Sequence, residues 1–175
     1  MASARRATLC VRDAEAADRN WIAELLAEQW GSTLIVSRGR RHRAERLPAF
    51  VALDAGARAG LLTYRIAGGE FEVVTLNATP PGRGAGSALL GAARRTAARA
   101  ACRRLWLVTT NDNDAAIRFY ERRGFSCVAV HEGGVELARR FKPGIPRVGR
   151  NGVPIRDELE FELRLGTAPT RQREG

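Results

Sequence analysis

A chain of 175 residues with 45% hydrophobic and 27% charged residues suits one compact domain with a real core. No apolar run reaches the roughly 18 residues of a membrane span, no apolar stretch with a cleavage site follows the basic start Met1 to Arg6, and Cys10, Cys102 and Cys127 fit neither a disulfide framework nor a zinc site, so a cytoplasmic protein without membrane partner or metal is expected. The net charge of +10 invites polyanions, but the excess is nearly all scattered arginine and aromatic residues are only 6%, too few for a base-stacking platform, which weighs against nucleic acid.

In chain order, Thr8 to Val11 reads as a first strand, and Asp13 as the cap of a helix whose stripe is Trp21, Ile22, Leu25 and Leu26 and whose end is Gly31. Thr33 to Val36 is a short strand. The dense run Arg38, Arg40, Arg41, Arg43 and Arg46 reads as a solvated loop carrying a solvated His42, or as an anion contact. Pro48 to Leu53 and Gly60 to Ile66 are strands, and Gly68-Gly69 turns the chain into an antiparallel strand Phe71 to Leu76. Gly84 to about Cys102 is an alanine-rich helix, Leu105 to Thr109 a buried strand, Asp114 to Arg123 a short helix and Phe125 to Val130 a strand. A helical turn over Val135 to Phe141, a Pro/Gly-rich loop from Lys142 to Arg156 and an alternating strand Leu159 to Leu165 complete residues 1–166, read as a single domain. Residues 167–175 form a polar tail expected to be disordered.

The segment Pro81-Gly82-Arg83-Gly84-Ala85-Gly86-Ser87-Ala88 joins a strand directly to a helix. A helix start offers unpaired N–H groups and the positive end of its dipole, and glycines let a phosphate approach without meeting a Cβ. Arg83 adds a charged donor and Ser87 a hydroxyl. The turn lacks the lysine of a Walker loop, and its G-x-G-x-G spacing is not the dinucleotide fingerprint. Taken alone, it fits a phosphate site and a plain strand-to-helix connection equally well.

Downstream, Asn113, Ala116, Phe119, Tyr120, Gly124 and Phe125 fill the pattern N-x-x-A-x-x-F-Y-x-x-x-G-F. With Gly84 and Gly86 upstream, this resembles the GNAT superfamily of acyl-CoA-dependent N-acetyltransferases, and the ending around Ile155-Arg156-Asp157-Glu158 resembles uncharacterised bacterial members. Pro81 departs from the family, which usually has Gln or Arg there, so one phosphate contact is missing or is made by Arg83. The resemblance implies an α/β (α+β) fold: a mixed, largely antiparallel sheet of six to seven strands, splayed in the middle, with helices on both faces. Acetyl-CoA would enter the splay as cosubstrate. Its pyrophosphate would meet Arg83, Gly84, Ala85, Gly86, Ser87 and Ala88, its pantetheine arm would run along Leu76, Asn77 and Ala78, and Asn113, Ala116, Phe119 and Tyr120 would close the second side.

Acetyl transfer to an amine needs a base for the amine, donors for the oxyanion and an acid for the departing thiolate. The resemblance places Tyr120 as the acid and a carboxylate on the strand before the glycine turn as the base. Glu70 and Glu72 share a face of that strand, and Glu72 lies deeper; His131 and Glu158 are lesser candidates. A backbone N–H near Leu76 to Ala78 is the expected oxyanion donor. The acceptor amine stays open, as does a homodimer. Glu158, Glu160 and Glu162 form one acidic row that suits a cationic amine and that ordinary strand alternation explains equally well. Two other functions remain: a CoA-binding relative without catalysis, and a basic nucleic-acid-binding module.

Overall fold

The computed structural model describes residues 9–166; Thr8 and the tail from residue 167 lie outside them. The strands are β1 (Leu9–Asp13), β2 (Leu34–Ser37), β3 (Arg40–Arg43), β4 (Ala49–Asp54), β5 (Ala57–Ala67), β6 (Glu70–Ala78), β7 (Arg104–Thr110), β8 (Ser126–His131) and β9 (Glu158–Arg164). The helices are α1 (Arg19–Trp30), α2 (Ala85–Arg99), α3 (Asp114–Glu121) and α4 (Gly134–Arg139). Seven strands form one sheet in the order β1-β4-β5-β6-β7-β9-β8, while β2 and β3 pair separately. Every neighbouring pair is antiparallel except β6 with β7, as the sheet expected above requires.

Strand alternation assigns the two faces. Phe50, Leu62, Phe71, Val73, Leu105, Leu107 and Phe161 bury against Leu89, Leu90, Ala93 and Ala97 of α2 and Tyr120 of α3. Small alanines on α2 let that helix lie close to the sheet. The opposite face packs Leu61 and Val74 against Ile22, Leu25 and Leu26 of α1 and Ile35 of β2. On β9 the same alternation sends Phe161 to the first face and Glu158, Glu160 and Glu162 to the second, where they stand opposite Thr110, Val108 and Trp106 of β7.

Two expectations are corrected. The arginine run is not a loop. Arg38 and Gly39, both at positive φ, turn β2 back into β3, the backbone that a two-residue hairpin of matching twist demands. The hairpin lies over the acidic face, so His42 is 5% exposed rather than solvated. Nor does Asp13 cap α1. It ends β1, a short 3-10 turn over Ala16–Asp18 intervenes, and Gly31 at φ 74 closes the helix as expected.

Asp18 is fully buried. Its carboxylate accepts from Arg12 Nη1 at 2.6 Å, Arg58 Nε at 2.9 Å and the Glu15 N–H at 2.8 Å. The Arg12 bond holds its ionisation well below the usual carboxylate range, against the opposing effect of burial. A folded-state pKa depressed in this way contributes stability above the unfolded value near 3.9 and loses it as pH falls below that. Asp18→Asn is expected to cost about 2 kcal/mol at neutral pH, the lower part of the range for charged hydrogen bonds because both arginines are about a third exposed. In urea unfolding, the gap between wild type and variant should narrow steadily below about pH 4. A gap that persists unchanged there would contradict the charge assignment.

Candidate active site

The parallel pair holds only from Glu70 to Val73, opposite Arg104 to Leu107. Beyond it the strands separate, because Val74 bulges: Tyr64 of β5 faces Val73 and Thr63 faces Thr75, leaving Val74 with no partner. A bulge bends its strand and sharpens the local twist. Thr63 and Thr75 hydroxyls, 2.7 Å apart and buried, fix the register just past it. The β7-facing backbone edge of residues 74–78 therefore has no strand partner among the described residues. The opening is a cavity of about 280 Å³ lined by Val73 to Asn77, Leu107 to Thr109, Asn113, Ala116 and Tyr120, with Gln29 and Trp30 at the α1 side. Unpaired backbone edges of this kind accept an extended ligand as an added strand.

Tyr120 forms part of the cavity wall at 8% exposure. Its ring meets Phe119 and Phe125 edge-on at centroid distances of 5.2 and 5.6 Å. Burial pushes its phenol well above the usual value, so the hydroxyl stays protonated at neutral pH. No protein hydrogen bond to that hydroxyl occurs among the described residues. Asn113 has a local duty as well: its Oδ1 accepts the Ala116 N–H at 3.2 Å and caps α3. Asn77 Oδ1 accepts from the Trp30 indole at 2.9 Å, tying the splayed end of β6 to α1.

At the other end of the site, α2 starts after Gly84, which sits at φ 88. Its first intrahelical bond is Ala88 N–H to Gly84 carbonyl, so the N–H groups of Ala85, Gly86 and Ser87 are left for an anion. Gly86 has a packing reason besides phosphate access: a Cβ there would stand 3.0 Å from Phe119 Cζ, so the glycine lets α3 close onto α2. Arg83 points elsewhere than expected, toward Asp54 at 3.6 Å. Arg123 was missed by sequence reasoning. Its guanidinium lies 3.5 Å over the Phe119 ring and donates to Ser87 Oγ and to the Phe119 carbonyl, placing a positive charge beside the α2 start. Only its spacing of four residues from Phe119 hinted at this.

The two expected bases part company. Glu70 is gripped by Arg103 and by Arg104 at 2.9 Å, and the Arg104 bond lowers its pKa. It lies at the closed end of the β6–β7 pair, four residues before the splay, and faces the same cavity as Glu72. Glu72 is 4% exposed, with His42 Nε2 3.4 Å from its Oε1 and Arg65 Nη1 4.0 Å from its Oε2. Oε2 has no hydrogen-bond partner among the described residues. Glu72 lines a cavity of about 400 Å³ under the hairpin, together with Arg38, Arg40, Arg65 and Trp106, and not the gap itself. Of the acidic row, Glu160 is held by Arg104 at 2.8 Å and His131 at 2.9 Å, and Glu162 by Arg104 at 3.1 Å. The acidic row is thus largely neutralised from within the protein, and Arg38, Arg43 and Arg46 of the basic run pair with Glu160 or Glu45.

A sheet splayed beside a glycine-started helix, with a protonated tyrosine in the opening, defines an acyl-CoA-dependent acetyltransferase fold. The chain belongs to the acetyltransferase (GNAT) family, whose model matches residues 14–125. Among its relatives, the uncharacterised protein YdhI of Bacillus subtilis is 38% identical over 144 residues, covering 82% of this chain and 90% of YdhI. YxbD of the same organism, also uncharacterised, is 32% identical over 142 residues, covering 81% and 89%. Among solved structures, a Bacillus subtilis acetyltransferase in complex with CoA superposes with a TM-score of 0.68 at 17% identity, over 91% of this chain and all of that one. A putative acetyltransferase from Salmonella typhimurium with acetyl-CoA gives 0.64 at 19% identity, over 95% and 99%. These structural likenesses are of fold. No helix among the described residues is long and apolar enough to cross a membrane, and no cluster of three or more metal-ligating side chains occurs among them.

Proposed function

We propose that this protein moves an acetyl group from acetyl-CoA to a primary amine by direct transfer within a ternary complex. The observation that carries the reading is the limited β6–β7 pairing, which ends at Val73 and leaves a gap walled by Tyr120. Acetyl-CoA supplies a thioester carbonyl for the amine to attack and a thiol as leaving group. The residues present fit it: free N–H groups at Ala85 to Ser87 for the pyrophosphate, an unpaired edge at Leu76, Asn77 and Ala78 for the pantetheine amides, Asn113 and Ala116 across the gap, and Phe119 beside Gly86 at the start of α2. Arg123 beside Ser87 favours the phosphate charge in place of the absent donor at Pro81.

Tyr120 donates a hydrogen bond to the sulfur as the C–S bond breaks and charge grows there. A backbone N–H on the free edge near Leu76 to Ala78 serves the developing oxyanion. Glu72 receives the proton that the amine gives up, by way of water, because it lines the cavity under the hairpin and not the gap itself. Its unpartnered Oε2 supports that role. No cysteine lines the gap, which favours direct transfer over an acyl-enzyme route. The test is release of CoA thiol on mixing protein, acetyl-CoA and a panel of amines, amino acids, polyamines, aminoglycosides and peptides. Thiol release that depends on an amine, with a matching mass gain of the amine, is the expected result. Acetyl-CoA binding without transfer to any class would leave a CoA-binding protein and contradict the catalytic reading.

A further inference from the structure

A third cavity, about 750 Å³, opens between the end of α1, the β2 strand, α4 and the loop after it. Trp30, Leu34, Val36, Phe141, Ile145 and Pro146 give it apolar walls. Gln29 and Trp30 line both this cavity and the β6–β7 gap, so the two spaces adjoin. Among the described residues only two ionisable side chains line it, Glu158 and Lys142. Glu158 is 3% exposed. Its Oε2 accepts the Arg38 N–H at 2.9 Å, and Oε1 accepts nothing among the described residues. Glycine at 134 makes room for it: a Cβ there would stand 3.0 Å from both its Cγ and Oε2. Burial raises its pKa, with the Arg38 N–H opposing. Lys142, the chain's only lysine, donates to the Trp30 carbonyl at 2.8 Å.

A carboxylate buried among apolar walls is costly until a donor reaches it. An acceptor that brings one ammonium group on an apolar body supplies that donor and fills the walls. A molecule with a second cationic group would set it against Lys142 or in hydrocarbon surroundings. Thr110, opposite Glu158 in the β7–β9 register, follows directly on Thr109 of the gap, so the carboxylate stands one strand away from the transfer site. Resting on the acetyltransferase reading above, we propose that the acceptor is an apolar monoamine, an arylalkyl- or alkylamine, docked in this cavity with its ammonium on Glu158. Glu158 is a specificity residue in this scheme. It holds the ammonium form; once one proton has left to the base, the neutral amine advances into the gap, where its nitrogen bonds the acetyl carbon, the C–S bond breaks, and the second nitrogen proton passes by way of the Tyr120 hydroxyl to the departing sulfur.

The test compares phenethylamine and hexylamine with spermidine, kanamycin and a peptide N-terminus, measuring kcat and KM by thiol release and acetyl-CoA affinity by calorimetry. Phenethylamine or hexylamine should exceed spermidine at least tenfold in kcat/KM. Glu158→Gln should raise KM for them at least tenfold, with kcat within about threefold and acetyl-CoA affinity unchanged, the pattern of a lost ground-state contact. Ile145→Trp, a loop substitution that fills the cavity, should raise the same KM. Preference for spermidine, kanamycin or the peptide would overturn the proposal. So would a normal KM in both variants, or a kcat loss at constant KM in Glu158→Gln. Acetyl-CoA binding without turnover of either monoamine overturns it while leaving the CoA site standing; no acetyl-CoA binding removes both readings.

Discussion

Tyr120→Phe is expected to lower kcat about 100-fold while changing acetyl-CoA affinity less than threefold. The hydroxyl sits in the gap without a hydrogen-bond partner among the described residues, and burial keeps it protonated at neutral pH. A phenol so reluctant to ionise does not hand its proton over early. It strengthens a hydrogen bond as charge develops on sulfur, and thiolates leave readily, so the effect falls at the lower end of general-acid contributions. Phenylalanine preserves the ring that packs edge-on against Phe119 and Phe125. Unfolding measurements should therefore find the variant within about 1 kcal/mol of wild type. A variant with wild-type kcat, under single-turnover conditions where chemistry is limiting, would remove Tyr120 from the mechanism.

The second large effect is on binding. Ser87→Asp should weaken acetyl-CoA about 30- to 150-fold without loss of stability. Ser87 is exposed at the third position of α2. A carboxylate there complements the helix dipole and adds a few tenths of a kcal/mol to the free protein. Against a pyrophosphate at about 5 Å, the same charge would cost about 3.3 kcal/mol at an effective dielectric constant near 20, which pairing with Arg123 reduces to about 2–3 kcal/mol. Ser87 is a cleaner target than Gly86, where any side chain strikes Phe119 and confuses lost binding with lost packing. Unchanged affinity in a folded Ser87→Asp protein, titrated by calorimetry, would place the phosphates away from α2.

Much of this site could be read before any coordinates. The Asn113 to Phe125 pattern is dense because several constraints coincide there. Asn113 caps α3, Phe119 packs against Gly86, Tyr120 reaches the gap and Phe125 buries beneath it. The glycine turn was legible as a strand-to-helix turn and no further, because Gly86 is also required by the approach of Phe119. The hairpin was not. In β3, Arg40, Arg41 and Arg43 are exposed and only His42 turns inward, so no apolar alternation marks it as a strand. Its one signal was Gly39 after an apolar run, a turn residue that the surrounding charge concealed. Burial of Glu158 was hidden for the same reason: alternation on β9 looks identical whether the second face meets water or a hairpin. Arg83 shows what sequence leaves out, an exposed charge that has a carboxylate, Asp54, within 3.6 Å.

The central claim, that the β6–β7 gap and the start of α2 together hold acetyl-CoA, is tested most directly by calorimetric titration of acetyl-CoA into the purified protein, with thermal unfolding alongside. One molecule should bind per chain. At about 100 times its dissociation constant the ligand should add roughly 2.7 kcal/mol, raising the unfolding midpoint by about 5–10 °C for a chain of this size. No binding heat and no shift in the midpoint at millimolar acetyl-CoA would contradict the account.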